Sequence, residues 1–562
     1  MYGLRNSPRR VEPSNQMDYC NYDPSKDFNC CLREHERAEP SVWTREEAEQ
    51  IRITPDRTAP LITDPFPIIS QDLWTWDMWV LREKDGSIAV LPGGWRVLFT
   101  LAAPCSVLPN KRNDVAVICY FYSKNGRDWI EGGPVFTTED AFGSRQWAGS
   151  AFVEDGQIYF FYTAAGRRGE SQVTYEQRVA FTKGDVVADS NCVRFDNWEC
   201  HKIILEADGM LYQTFEQSQN TGMAYAFRDP WFFKDPATGC EYLIFQGNTA
   251  GDINCGASAP PEASQFTGNI GMALLCSNDY TRWELLPPLL EATCTNQQLE
   301  RPHIVVCDGW YYLFASTHKH SYAPGLDGPD GLYGYTANSL RGCYVPLNCG
   351  GLVIANPPEE PFQAYLWLVL PDFSVLSYIN YFELDCIPLS AISNLPSEFQ
   401  SSHFGGTPAP TLQIEITGNT TQIVDELDYG LVKVSETESP ECHGCCCGQN
   451  HNGLGSNHQG GCNRCGGSES GRQNCSCSQN HNNSGSNHQG SCNRCGGSRS
   501  GNQSCSCSQN HNNSGSNHQG SCNRCGGSRS GNQSCSCSRN NNNYGVNYQN
   551  NCKQYGRNSS KY

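Results

Sequence analysis

Three acidic residues stand in runs that suit them for chemistry: Asp77 in TWDMW, Asp229 in FRDPWFF and Glu300 in QQLERPH. They lie far apart in the chain, each beside an aromatic residue or an arginine. Breaking a glycosidic bond takes two carboxyl groups, one acting at the anomeric carbon and one moving a proton. Tryptophan covers the apolar face of a sugar ring and arginine orients hydroxyl groups. Taken singly, each acid has an ordinary explanation. An Asp before a Trp is a common turn residue, an Arg-Asp-Pro step often precedes a rigid turn, and an isolated Glu-Arg pair contributes little energy. Together they point to an enzyme that acts on a small carbohydrate.

The elements that must position these acids read as strands. Short β-rich runs such as WRVLFTLAA (95–103), VAVICYFYS (115–123), EYLIFQGNT (241–249) and WYYLFASTH (310–318) are separated by clusters of Gly, Pro, Asn and Asp. In SAFVEDGQIYFFYTAAG (150–166), Asp155-Gly156 between alternating apolar residues predicts a hairpin turn. Helical periodicity is scarce outside TREEAEQIR (44–52), where Thr44 is placed to cap a short helix. The expectation is an all-β body over residues 41–440, preceded by a polar arm over 1–40. Strand pattern alone leaves sandwich, barrel and propeller open.

Composition changes sharply after residue 440. Residues 441–562 are Asn, Gly, Ser, Gln and Cys with almost no aliphatic residues, so they cannot bury a core of their own. They form a tandem array of 30-residue units at 449–478, 479–508 and 509–538, each bearing two His and four Cys. Three readings fit: disulfide staples, tetrahedral zinc sites, or a recently expanded, unfolded repeat, with a stapled or flexible appendage ranked ahead of metal. The array carries ten Lys and Arg against two Asp and Glu, leaving residues 1–440 at about −26 of the chain's −18. So acidic a body excludes nucleic acid as its substrate. The 32 cysteines favour an oxidising, extracellular setting, although MYGLRNSPRRVEPSNQ has no apolar segment typical of a secretory signal. No apolar stretch is long enough for a membrane span.

In order, PSVWTREEAEQI, LWTWDMWVLREKDG, SRQWAGSAF, MAYAFRDPWFF, YLIFQGNT, QQLERPHIV, YYLFASTH and DGPDGLYGY closely resemble the blocks of glycoside hydrolase family 68. That family comprises levansucrases, inulosucrases and related β-fructofuranosidases, and the style of the blocks is nearer to its Gram-negative branch. The resemblance runs from about Trp43 to Ile392. It implies a five-bladed β-propeller with an axial active site. It also implies a retaining reaction on sucrose, with fructan, another sugar or water as acceptor and no cofactor. Asp77 would be the nucleophile, Glu300 the general acid/base, and Asp229 the stabiliser of the transition state. Crowding by the other two acids would keep Glu300 protonated near neutral pH. Trp76 and Trp147 would line the donor pocket, and Arg228 and Arg301 would orient hydroxyls and balance the acids. His318 matches a position facing the acceptor, against an equally weighted reading as a satisfied strand-end histidine. Tyr365 matches a family tyrosine near the nucleophile.

Three departures bear on the chemistry. Ala148 stands where the family has a serine hydrogen-bonded to the nucleophile, so the pKa of Asp77 should rise and turnover fall unless Ser150 or water substitutes. Gln246 replaces a usual Glu, and the Ser-His that often follows the tyrosine of FQAYLW is missing. Gln297 occupies the place of an Asp in calcium-binding relatives, so no metal is expected, and a sulfur bridge could supply the stiffening instead.

Overall fold

The computed structural model describes residues 39–434, except 138, 220–221 and 385–386, together with the strands Cys475–Cys477 and Cys505–Cys507. The chain divides into two units, Met1–Glu441 and Cys442–Tyr562. Nearly all of the polar arm, and the cysteine pairing, zinc or disorder of the repeats, lie outside the described residues. Within the repeats, the two short strands pair in parallel, Cys475 opposite Cys505. Partners in that register are one repeat apart.

In the body, five antiparallel sheets follow one another along the chain as the blades of a propeller. Their first strands are Leu73–Val80, Arg145–Glu154, Arg228–Lys234, Glu300–Cys307 and Ala364–Val369. These touch in a ring, blade one against two and so round to five against one. Strands such as Gly268–Leu275 and Ala364–Val369 are buried along their whole length, because each blade is sandwiched between two others. The expected hairpin turn is present, with positive φ at both Asp155 and Gly156.

The segment before the first blade stitches the ring. Ser41–Val42 pair in parallel with Leu290–Glu291 at the rim of blade three. Trp43 is buried among Tyr322, Tyr333 and Tyr335, at centroid distances of 5.6–5.9 Å. Thr44 closes a capping box with Glu47 over the helix Arg45–Ala48, as its sequence predicts. Blade five meets blade one through Thr75 Oγ1 donating to Gly406 O (3.1 Å) and Val432 N donating to Gly126 O (2.8 Å).

Every first strand carries a bulge at one level, between Trp76 and Trp79, Trp147 and Gly149, Arg228 and Trp231, Glu300 and His303, and Tyr365 and Leu368. Asp77 (φ 55°), Asp229 (60°), Arg301 (53°) and Leu366 (51°) adopt left-handed backbone there, which is costly for residues with a Cβ. In blade two the chain instead uses Gly149, where a Cβ would lie 1.9 Å from Phe161 O. Bulges re-aim side chains and interrupt pairing. Here five of them turn side chains toward one axial opening.

Candidate active site

The opening is a cavity of about 830 Å³ lined by every blade. That is ample for a disaccharide and more. Asp77, Asp229 and Glu300 all line it, with Trp76, Trp147, Arg228, His318 and Tyr365. Eight of the nine residues singled out in the sequence therefore share one cavity. Arg301 is the exception.

Glu300 is the most closely held acid. Arg228 Nη2 donates to its Oε1 (2.7 Å), the Tyr365 hydroxyl donates to its Oε2 (2.6 Å), and His318 Nε2 lies 3.7 Å from Oε2. Tyr365 thus serves Glu300, and its ring stacks on His318 at 3.8 Å between centroids. Asp330 Oδ2, 2.7 Å from His318 Nδ1, fixes the orientation of that imidazole. Burial disfavours the imidazolium, but Asp330 and Glu300 outweigh it and the pKa of His318 rises. His318 is therefore both satisfied and part of the site.

The charge states differ from the sequence expectation in one respect. Burial would push Glu300 up, yet His318, Arg228 and the Tyr365 hydroxyl together hold its carboxyl below the usual carboxylate value. Crowding does not keep Glu300 protonated, because its own partners stabilise the anion more than its neighbours oppose it. Asp77 holds the proton instead. Burial, then the charges of Asp229 and Glu300, push it up to about 8 against the pull of Arg301 and Arg112. Asp77 Oδ1 is buried without a hydrogen-bond partner, as the loss of a serine hydroxyl at Ala148 implies. Ser150 does not substitute: its Oγ sits at Phe232 N, from which it accepts (2.9 Å), and no bond from it reaches Asp77 Oδ1. The pKa of Asp229 is also raised by burial, although Arg228 and Arg301 oppose this.

Arg301 lies beneath the cavity. Its backbone N–H donates to Asp229 Oδ2 (3.1 Å), while its guanidinium donates to Gly149 O (3.1 Å) and Met78 O (3.4 Å) and sits 5.1 Å from the Trp79 ring. The left-handed backbone at 301 carries the side chain down between the first strands of blades one and two. It balances Asp77 and Asp229 from below and is not among the residues that line the cavity. Trp79 and Trp95 are core residues, and Gln246 is fully buried with neither end of its amide hydrogen-bonded.

Two supports brace the segment that leads to Glu300. Gln297 Oε1 accepts from Thr267 N (2.9 Å) and its Nε2 donates to Ala224 O (2.7 Å), so one amide clips two segments. Beside it, Cys255 and Cys294 form a disulfide. Among the described residues no cluster of three His, Cys, Asp or Glu is arranged to hold a metal, and no helix is long and apolar enough to cross a membrane.

Sequence reasoning missed Arg112, Tyr175, Gln177 and Tyr378, which also line the cavity. Arg112 sits in LPNKRND, which reads as a solvated loop, and Tyr378 sits in a strand that reads as core. Nothing in either run distinguishes them.

A five-bladed propeller with three carboxylates, tryptophans and an arginine converging on its axial cavity defines a glycoside-processing enzyme. Comparison with known proteins makes this specific. The profile described as Levansucrase/Invertase matches residues 32–433. Levansucrase Lscgamma of Pseudomonas syringae pv. actinidiae is 37% identical over 426 residues, covering 70% of this chain and 93% of the relative. The extracellular sucrase of Zymomonas mobilis is 34% identical over 413 residues, covering 70% and 95%. Among solved structures, the inulosucrase from Halalkalicoccus jeotgali bound to kestose superposes with a TM-score of 0.68 at 47% identity, covering 72% of this chain and all of that one. The chain belongs to the levansucrase/invertase family, glycoside hydrolase family 68, and is an enzyme of that family.

Proposed function

We propose that the protein takes the fructosyl unit of sucrose, releases glucose, and passes fructose to a growing fructan, a sugar or water. The supporting observation is the convergence of Asp77, Asp229 and Glu300, each from a different blade, on one tryptophan-lined cavity. In this reading Asp77 attacks the anomeric carbon and Glu300 delivers a proton to the departing glucosyl oxygen. Glu300 then takes a proton from the acceptor as it displaces Asp77. Asp229 holds fructosyl hydroxyls and stabilises positive charge at the ring. Trp76 and Trp147 cover the sugar faces, and Arg228 ties Glu300 to the donor side.

The resting proton must move before attack. Asp77 carries it in the free enzyme and Glu300 needs it for leaving-group departure. Sugar hydroxyls donating to Asp77 favour its anion, and the proton then resides on Glu300. The Cys255–Cys294 bridge suits an oxidising compartment, so export belongs to this reading. The relative named an extracellular sucrase supports it.

Incubation with sucrose tests the proposal. Wild-type protein should release glucose, with a fructose deficit reporting transfer and equal fructose reporting hydrolysis. Asp77→Ala and Glu300→Gln should each lose at least about a thousandfold in kcat. Unchanged glucose release in both variants would end the assignment. The unpartnered Asp77 Oδ1 favours a second reading, a carbohydrate-binding propeller with weakened catalysis. Sucrose binding without glucose release would establish that one.

A further inference from the structure

Blade two gives Asp77 Oδ1 no hydrogen bond: Ala148 has no hydroxyl, and the Ser150 Oγ sits at Phe232 N and does not reach it. The opposite wall is different. The turn Pro109–Asp114, between the second and third strands of blade one, brings Arg112 to the cavity. Its Nη1 donates to Pro109 O (2.8 Å) and its Nη2 donates to the Tyr378 hydroxyl of blade five (3.2 Å). The guanidinium carbon lies 5.4 Å from the ring centroid of Trp76, the neighbour of Asp77, and 4.7 Å from that of Phe404. Its Nε is buried and has no partner. Two rings, a carbonyl and a phenol thus fix the plane of this side chain, and its Nε–H is left without a partner.

We propose that Arg112 is a positioning residue for Asp77, a clamped cation that replaces the lost serine in favouring the ionised nucleophile. The inference rests on the reading of Asp77 as that nucleophile. The charged and titratable groups that act on Asp77 across the cavity are Arg301 and Glu300 of blade four, Asp229 of blade three, Arg112 of blade one and Tyr378 of blade five. Glu300 and Asp229 oppose its ionisation. Arg301 favours it but is spent on two backbone carbonyls below. Arg112 is the other cation acting on it, and it lines the cavity where the sugar must sit. A planar charge anchored on aromatic rings holds its direction in a way that a mobile lysine does not.

Infrared difference spectra against Asp77→Asn read the Asp77 carboxyl directly, whether or not any sugar is turned over. In Arg112→Gln the protonation midpoint should rise by about one pH unit or more. In Arg112→Lys it should rise less. Ala148→Ser should lower the midpoint and shrink the effect of either Arg112 substitution, because the hydroxyl then shares the task. With sucrose, Arg112→Gln should cut kcat/KM about tenfold or more and move the alkaline limb of the pH profile upward. Should Arg112→Gln fail to fold, Arg112→Lys with and without Ala148→Ser decides by the same midpoints. The proposal is overturned if the Arg112 substitutions leave the midpoint unmoved, or if kcat/KM falls by one factor at all pH values with both limbs in place. Wild-type protein that leaves sucrose intact would sink the functional reading alone, while the infrared midpoint still decides the role of Arg112.

Discussion

At the scale of single residues, Asp77 and Glu300 hold one proton between them, and the resting enzyme places it on Asp77. The attacking form, with Asp77 ionised and Glu300 protonated, is then a minor arrangement in the free protein. Ala148→Ser supplies a donor to Asp77 and should enlarge that minor form. Its kcat/KM for sucrose is expected to rise about tenfold for each unit by which the Asp77 pKa falls, with the alkaline limb moving down from near the value of about 8. Steady-state profiles of wild type and variant check this. Stability should follow the same group. Folded Asp77 binds its proton up to about pH 8, whereas the unfolded carboxyl releases it near 3.8. Between those values the folded state holds more protons, so wild-type stability falls as pH rises. Asp77→Asn lacks this titration and should match wild type near pH 4. Its advantage should grow to roughly a few kcal/mol by pH 8, read as denaturation midpoints across pH. Equal pH dependence of the two proteins would show that Asp77 is ordinary. The three acids were legible because each sits in a distinctive run. The proton's location was not, since it depends on Arg228 and Tyr365 arriving at Glu300 from blades three and five, and on His318 at the end of the neighbouring strand of its own blade. Arg301 lies outside the cavity lining for a local reason: adjacency to Glu300 says nothing about a left-handed backbone that sends its side chain the other way.

At the scale of elements, the bulges do the aiming. A regular strand would alternate Trp76, Asp77 and Met78 between its two faces, whereas the bulge lets Trp76 and Asp77 line the same cavity. Neighbouring blades lock this level through side chains that accept from first-strand amides: Asp229 N donates to Thr163 Oγ1 (2.9 Å), Trp367 N to Ser316 Oγ (3.1 Å) and Val369 N to His303 Nε2 (2.9 Å). Strand existence was readable from β-rich runs and turn residues, as the hairpin at Asp155-Gly156 shows. Bulge positions were readable only in part: Pro230 in FRDPW hints at one, since proline within a strand favours bulges, but nothing in TWDMW distinguishes a bulged strand from a straight one. Outside blade three, Gln297 and the Cys255–Cys294 bridge tie the approach to Glu300. The bridge closes a span of 39 residues, and removing such a link typically costs about 2–4 kcal/mol. Cys255→Ser with Cys294→Ser should therefore lower the denaturation midpoint by that order and loosen residues 249–296, seen as faster amide exchange there than in blades one and five. Uniform exchange across the body would remove the bridge from any local role.

At the scale of the whole chain, charge separates the two parts more sharply than any other property. Residues 1–440 carry about −26 and the repeats about +8. The family match ends at residue 433, and every residue of the proposed chemistry lies before it. An acidic body repels itself, and salt screens that repulsion over a Debye length of about 10 Å at 0.1 M. The catalytic cluster is largely shielded from such screening by its burial, so ions should act mainly on fold stability. A chain ending at residue 440 is thus expected to release glucose from sucrose at a rate close to that of the full chain. Its melting temperature should climb steadily from about 0.01 M to about 1 M sodium chloride. The full chain, whose repeats offset part of the charge, should show a shallower climb. Loss of sucrose turnover on truncation would place an essential function in the repeats. A melting temperature that ignores salt would mean that the carboxylates of the body are already neutralised by their own neighbours.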